Sequence, residues 1–214
     1  KWMHAGFIHG VMNTDNMSIC GETIDYGPCA FMNSYDPATV FSSIDTQGRY
    51  AFGNQAKIAH WNLYRFAEAL LALIHEDQEQ AIAAVTEPLE KFPTIFLEYW
   101  LAGMRNKLGL FSQEADDLKL AEDLLMYMQK NKADFTNTFR ALSSPTADMP
   151  QLQLDAGFNE WQQRWKARLS RQTQTFAQSA ALMNSTNPAV IPRNHLVEAA
   201  LNAAVDHDDL HPLH

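Results

Sequence analysis

The sequence predicts a mainly α-helical fold, with one small β-hairpin near the N-terminus and a long helical body behind it. Three observations carry that prediction. From Asn54 onward apolar residues recur at three-to-four spacing, as in helices that bury one face. Short strand-like runs occur only around Gly21. Strands and helices do not alternate as a Rossmann sheet requires, and neither GxGxxG nor a phosphate-cradling GxxxxGKS/T loop is present. With 214 residues, 46% of them hydrophobic, the chain can build a real core.

Taken in order, residues 1–8 read as the end of a helix, because Trp2, Met3, Phe7, Ile8 and Val11 form an apolar pattern with no initiator methionine before it. That opening is expected of an excised fragment. Residues 9–16 read as a loop rich in Gly, Asn and Asp. Met17-Ser18-Ile19 and Thr23-Ile24, on either side of Gly21, are the two strands of the expected hairpin, which would bring the flanking Asn16 and Asp25 together. Residues 28–54 are aromatic and irregular, with a turn at Asp36-Pro37, and are expected to wrap the site.

Asn54 is placed to cap a helix of roughly five turns that carries Leu63, Phe66, Ala67, Leu70, Leu71 and Ile74 on one stripe. Leu97, Trp100, Leu101, Met104 and Leu108 make a second stripe. Leu118, Ala121, Leu124, Leu125 and Met128 make a third, and Phe158, Trp161, Trp165 and Leu169 a fourth. All four are expected to be core, punctuated by Pro88, Pro93, Pro145, Pro150 and Pro188. The terminal "DHDDLHPLH" shows no closing helix and reads as a solvated tail.

Composition excludes several functions. Sixteen basic against 25 acidic residues, a net charge of −9, repel phosphate backbones, so nucleic acid is not an expected partner. No apolar run reaches the roughly 20 residues that span a bilayer, and the expectation is a soluble, cytoplasmic protein, or a mitochondrial one in a eukaryote. Cys20 and Cys29 are too few for a disulfide framework, and the eight histidines lack HExxH spacing.

The segment "HGVMNTDNMSICGETIDYGP" collects oxygen ligands. Magnesium prefers such oxygens and keeps several waters, so a carboxylate and a carboxamide with substrate phosphates suffice. In the protein-kinase pattern an Asn seven residues after a catalytic-loop His binds metal, and an Asp-Phe-Gly follows. His9 to Asn16 has that interval, and Asp25-Tyr26-Gly27 stands in the place of Asp-Phe-Gly. Val11 occupies the position of the kinase catalytic Asp and cannot take a proton. Asp15 is the remaining loop carboxylate and the candidate base. Asn and Asp also bend backbone readily, so the residues alone leave turn formation and a metal site both open.

The stretch "GFIHGVMNTDNMSICGETIDYGPCAFMNSYDP", followed by "DTQGRYAFGNQAKIAHWNL" and, more loosely, by "NPAVIPRNHLVEAAL", resembles the selenoprotein O (YdiU) family over nearly the whole chain. The resemblance implies a protein-kinase-like C-terminal lobe, with residues 1–54 as its catalytic-loop and metal-binding segment and 55–214 as its helical body. The N-terminal nucleotide-binding lobe would then be absent from this chain. It also implies a protein adenylyltransferase that moves AMP from ATP to Ser, Thr or Tyr hydroxyls. Asp15 then resembles the proton acceptor, Asn16 and Asp25 resemble ligands of Mg2+ or Mn2+, and Asp25 also lies against ATP. Cys20 and Cys29 stand where bulkier apolar residues are expected, and Asn33 where an Asp is usual. The fragment alone is expected to be inactive. A γ-phosphoryl-transferring kinase-like enzyme and a non-catalytic helical interaction module are the alternatives.

Overall fold

The computed structural model describes residues 1–144 and 156–213, and is mainly helical. A short helix α1 (Trp2–Ala5) leads through Gly6 into strand β1 (Phe7–Ile8), which pairs antiparallel with β2 (Ala30–Phe31) in the register Phe7 to Phe31 and Ile8 to Ala30. Behind them come α2 (Gln55–Ile74), α3 (Gln78–Glu90), α4 (Phe92–Lys107), α5 (Asp117–Asn131) and α6 (Phe135–Ala141), then α7 (Ala156–Ser170), α8 (Phe176–Thr186) and α9 (Asn194–His207). Among the described residues no helix is long and apolar enough to cross a membrane.

Local chemistry sets many helix starts. The Asp77 and Asp134 carboxylates accept from the backbone N–H of Gln80 and Asn137, and Thr175 with Gln178 forms a reciprocal capping box. Asn54 precedes α2 as expected but does not cap it with its side chain; its Nδ2 donates to Gly48 O at 2.8 Å and ties down the preceding loop. Pro93 sits in the first turn of α4, where no N–H is missed, whereas Pro88 lies within the last turns of α3 rather than ending it. Pro145 and Pro150 lie outside the described residues. The C-terminal segment is exposed from Asp206 to Leu213, as expected of a solvated tail, but it is not free of helix: α9 runs to His207, Asp208 closes it in the left-handed conformation, and a 310 turn follows at His211–Leu213.

The core is built mainly by α4 to α8. Leu120, Ala121, Leu124 and Met128 of α5 pack with Phe158, Trp161 and Trp165 of α7, and Met104, Leu108, Phe139 and Met183 complete the cluster. The two indoles also satisfy backbone: Trp161 Nε1 donates to Leu120 O and Trp165 Nε1 to Leu108 O, at 2.8 and 2.9 Å. Lys107 is buried in the same body. Its Nζ donates to Asn187 Oδ1 at 2.8 Å and lies 4.0 Å from the Phe139 ring centre, and burial pulls its pKa down to about 7. Asp117 takes Arg168 at 2.7 Å and Arg105 at 2.8 Å; burial alone would raise its carboxyl, but these bonds and the Glu114 N–H outweigh it and hold the pKa low.

Two sequence expectations are corrected here. Residues 17–24 form no hairpin: a turn closes from Gly21 N–H to Ser18 O, and the strand pairing is made instead by residues 7–8 and 30–31. The runs beside Gly21 lie at the surface, with Ile19 and Ile24 exposed, whereas Phe7 and Ile8 are covered by the body. The α2 stripe is also rotated. Its buried residues are Gln55, Ile58, Asn62 and Ala67, while Phe66 is 44% exposed. The helix turns its polar side chains inward because the backbone of residues 7–12 needs them.

Candidate active site

The pairing of β1 with β2 closes residues 9–29 into one loop whose ends are neighbours. Gly10 makes that closure possible. Its φ of +89° suits glycine, and a Cβ there would stand 1.9 Å from Pro28 O. His9 then links the two halves of the loop. Its ring is buried against Trp2, with centroids 5.3 Å apart, and Nε2–H donates to Ile24 O at 2.8 Å, one residue before Asp25. Trp2 Nε1 donates to Thr23 Oγ1 at 2.9 Å and reinforces the same strand of loop.

The loop is fastened from below by α2. Gln55 accepts from His9 N–H through Oε1 at 3.0 Å and donates from Nε2 to Phe7 O at 2.9 Å, acting as a further strand for β1. Seven residues later, on the same face, Asn62 Nδ2 donates to Met12 O at 3.0 Å. These two amides were missed in the sequence. Their signal is a polar pair at helical i, i+7 spacing inside an otherwise apolar stripe.

Asp15 and Asn16 lie on a single 310 turn, Thr14–Asn16, with Asp15 exposed and Asn16 half-buried. Asn16 Nδ2 donates to Val11 O at 3.0 Å, which commits the amide nitrogen and leaves Oδ1 as the atom available to a cation. Asp25 is exposed and holds φ of +52°, a conformation that short polar residues adopt more readily than others. The hairpin expected to bring Asn16 and Asp25 together is absent; Asn16 is tied instead to Val11 O, and the residue before Asp25 to the His9 ring. No group of three or more His, Cys, Asp or Glu able to hold a metal occurs among the described residues. One carboxylate and one carboxamide remain, a donor set that fits a hard cation completing its shell with phosphate oxygens and water.

Residues 28–54 reach the loop as expected: Tyr50 OH donates to Asn13 Oδ1, next to the turn. Arg49 lies 4.6 Å from the Trp61 ring centre, so it serves to hold this loop on α2. Cys20 and Cys29 are both free thiols; the Ser18 hydroxyl beside Cys20 lowers its pKa, and burial raises that of Cys29. Asn33 Oδ1 accepts from Arg193 Nη1 at 2.6 Å, and the same guanidinium bridges to Asp134, which ties the start of α9 to the end of the site segment.

With that geometry in place, comparison with known families is decisive. A family model described as protein adenylyltransferase SelO matches residues 1–214. The chain belongs to the SelO family. Among its curated relatives, each named protein nucleotidyltransferase YdiU, that of Halalkalibacterium halodurans is 60% identical over 98% of the chain and that of Alkaliphilus metalliredigens 58% identical over 98%. The relative from Nitrosococcus oceani is 53% identical over 100% of the chain. This SelO-family chain spans 42–43% of the length of these relatives.

Proposed function

We propose that the protein carrying this chain is an adenylyltransferase that moves AMP from ATP to Ser, Thr or Tyr hydroxyls of proteins. The observation that carries the reading is that Asp15, Asn16 and Asp25 all lie on the one loop closed by β1 and β2, in a chain matched along its whole length by the adenylyltransferase family. Residues 1–54 act as the catalytic and metal-binding segment of a kinase-like lobe and 55–214 as its helical body. The phosphate-cradling elements belong to the part of the family's length that this chain does not span. The setting is cytoplasmic, where ATP and protein substrates meet.

In this reading the substrate hydroxyl oxygen attacks the α-phosphorus, the bond from that phosphorus to the bridging oxygen breaks, and pyrophosphate departs. Asp15, exposed on its turn, takes the hydroxyl proton. Asn16 and Asp25 would hold Mg2+ or Mn2+, which when bound offsets the phosphate charge. Asn16 is oriented by its bond to Val11 O, and Asp25 by the hold of His9 on Ile24. Val11 offers only its carbonyl, to Asn16 Nδ2, so the proton acceptor in this reading is Asp15 and not the residue at the position a kinase uses.

The test uses a full-length protein that includes this chain, with α-labelled and γ-labelled ATP supplied separately. Protein-bound label from the α-phosphate alone is expected. Label from the γ-phosphate alone would establish phosphoryl transfer instead, and the absence of nucleotide binding would favour a helical interaction module.

A further inference from the structure

Arg49 stands on a turn whose backbone is fixed on both sides. The Asp45 carboxylate accepts from the backbone N–H of Arg49 and of Tyr50, at 2.8 and 2.7 Å, and Asn54 Nδ2 donates to Gly48 O. The Arg49 guanidinium lies 4.6 Å from the Trp61 ring centre and 5.7 Å from that of Tyr50. Stacking of this kind engages the face of the planar cation and leaves the N–H groups along its edge unspent. The other seven arginines of the chain each hold a carboxylate or a backbone carbonyl. Arg49, exposed at the surface, differs from them: its guanidinium has no acceptor among the described residues.

Both rings that hold this cation lead to the stem of the catalytic turn. Tyr50 OH donates to Asn13 Oδ1, and Asn13 directly precedes the Thr14–Asn16 turn that carries Asp15. Trp61 is followed in α2 by Asn62, whose Nδ2 donates to Met12 O. The stretch that leads to Asp25 is held elsewhere, Thr23 by Trp2 and Ile24 by His9. In the adenylyltransferase reading the ATP phosphates already have a counter-charge in the cation assigned to Asn16 and Asp25, whereas an acidic protein substrate has none. It meets instead a chain of net charge −9, which repels it in general, so an unpaired guanidinium beside the site decides where a carboxylate can approach. Arg65 also lies 5.5 Å from the Trp61 ring centre, but Glu68 takes its charge at 2.8 Å.

We propose that Arg49, backed by Trp61, binds the carboxylate of an Asp or Glu side chain of the protein substrate, close in sequence to the hydroxyl that accepts AMP. The guanidinium edge offers the paired N–H groups that match a carboxylate. The inference rests on the adenylyltransferase reading and adds to it a substrate class: acceptor hydroxyls flanked by an acidic residue.

The experiment uses the full-length protein and fluorescent serine peptides that differ only in carrying Glu, Gln or Lys on either side of the serine. Peptide binding is read by polarisation and AMP transfer by α-label. The wild type is expected to show a KM for the Glu peptide about threefold to tenfold below that for the Gln peptide, with the Lys peptide poorest and the spread narrowing as salt is raised. Arg49→Gln should level the three peptides. Arg49→Glu should invert their order in favour of Lys, while KM for ATP stays within about twofold. Inversion reads charge recognition, because a loop merely loosened by loss of the stack on Trp61 slows all three peptides alike; that uniform slowing would overturn the proposal. Equal use of the three by the wild type, or an order unchanged in Arg49→Glu, would also overturn it. A rise in KM for ATP with the peptide order kept would assign the guanidinium to phosphate instead. Peptide binding that Arg49→Glu inverts, without any AMP transfer, would keep the subsite and refute the adenylyltransferase reading, whereas AMP transfer blind to peptide charge would refute the subsite alone.

Discussion

His9 Nε2–H donates to the carbonyl of Ile24 at 2.8 Å, and this bond joins the head of the Asp15-Asn16 loop to the residue before Asp25. A buried ring that holds a backbone carbonyl acts on the site through position and not through contact with a reacting atom. His9→Ala should therefore lower AMP transfer by about 10–100-fold, as removal of a group that orients metal ligands commonly does. The affinity for magnesium-ATP should fall with it, while His9→Gln, which keeps an N–H donor, recovers part of both. Activity unchanged in His9→Ala would show that Asp25 is positioned by other bonds.

Asp25 and Asp15 should fail differently. Asp25 holds φ of +52°, so Asp25→Asn is the informative change: asparagine tolerates that backbone and removes only the charge. Magnesium-dependent ATP binding and transfer should both be lost with the melting temperature preserved. Asp15→Asn should keep ATP affinity while transfer slows by about 10²–10⁴, the range of a general base. Calorimetric titration beside label transfer separates the two.

Gly10→Ala tests the closure of the loop. The added methyl would meet Pro28 O at 1.9 Å, and the residue would keep a positive φ. A loss of about 1–3 kcal/mol or more is expected, measured by urea unfolding, together with faster proteolysis within residues 9–29. Gly21, whose added Cβ would meet nothing within 4 Å, serves as the control.

Both buried charges predict stability that falls as pH falls, in different pH ranges. Lys107 falls from the ordinary 10.5 to about 7 on folding, so the unfolded chain binds more protons between those values. Stability from this group is full above 10.5 and is lost as pH falls to about 7; the melting temperature should rise from neutral to alkaline pH more steeply in the wild type than in Lys107→Met. Asp117 is held below the ordinary carboxylate range, so its contribution is present at neutral pH and is lost as acid reaches its folded pKa. Arg168→Met, which strands Asp117 without its bidentate partner, should cost about 3–5 kcal/mol at neutral pH.

The sequence by itself determined the helical character of the chain, the α5 and α7 faces that make the core, and the family to which the segment of the proposed site residues Asp15, Asn16 and Asp25 belongs. Those features are local: a helical stripe repeats within one element, and a motif lies within 17 consecutive residues, His9 to Asp25. Only the tertiary structure decided how the site is held. The pairing of residues 7–8 with 30–31 spans the whole loop, and the inward turn of Gln55 and Asn62 depends on backbone groups 45 or more residues away that need partners. An apolar pattern cannot foretell that a helix will present its amides to a strand, because the demand arises from unsatisfied N–H and C=O groups elsewhere in the chain. The same demand rotated α2 and exposed Phe66.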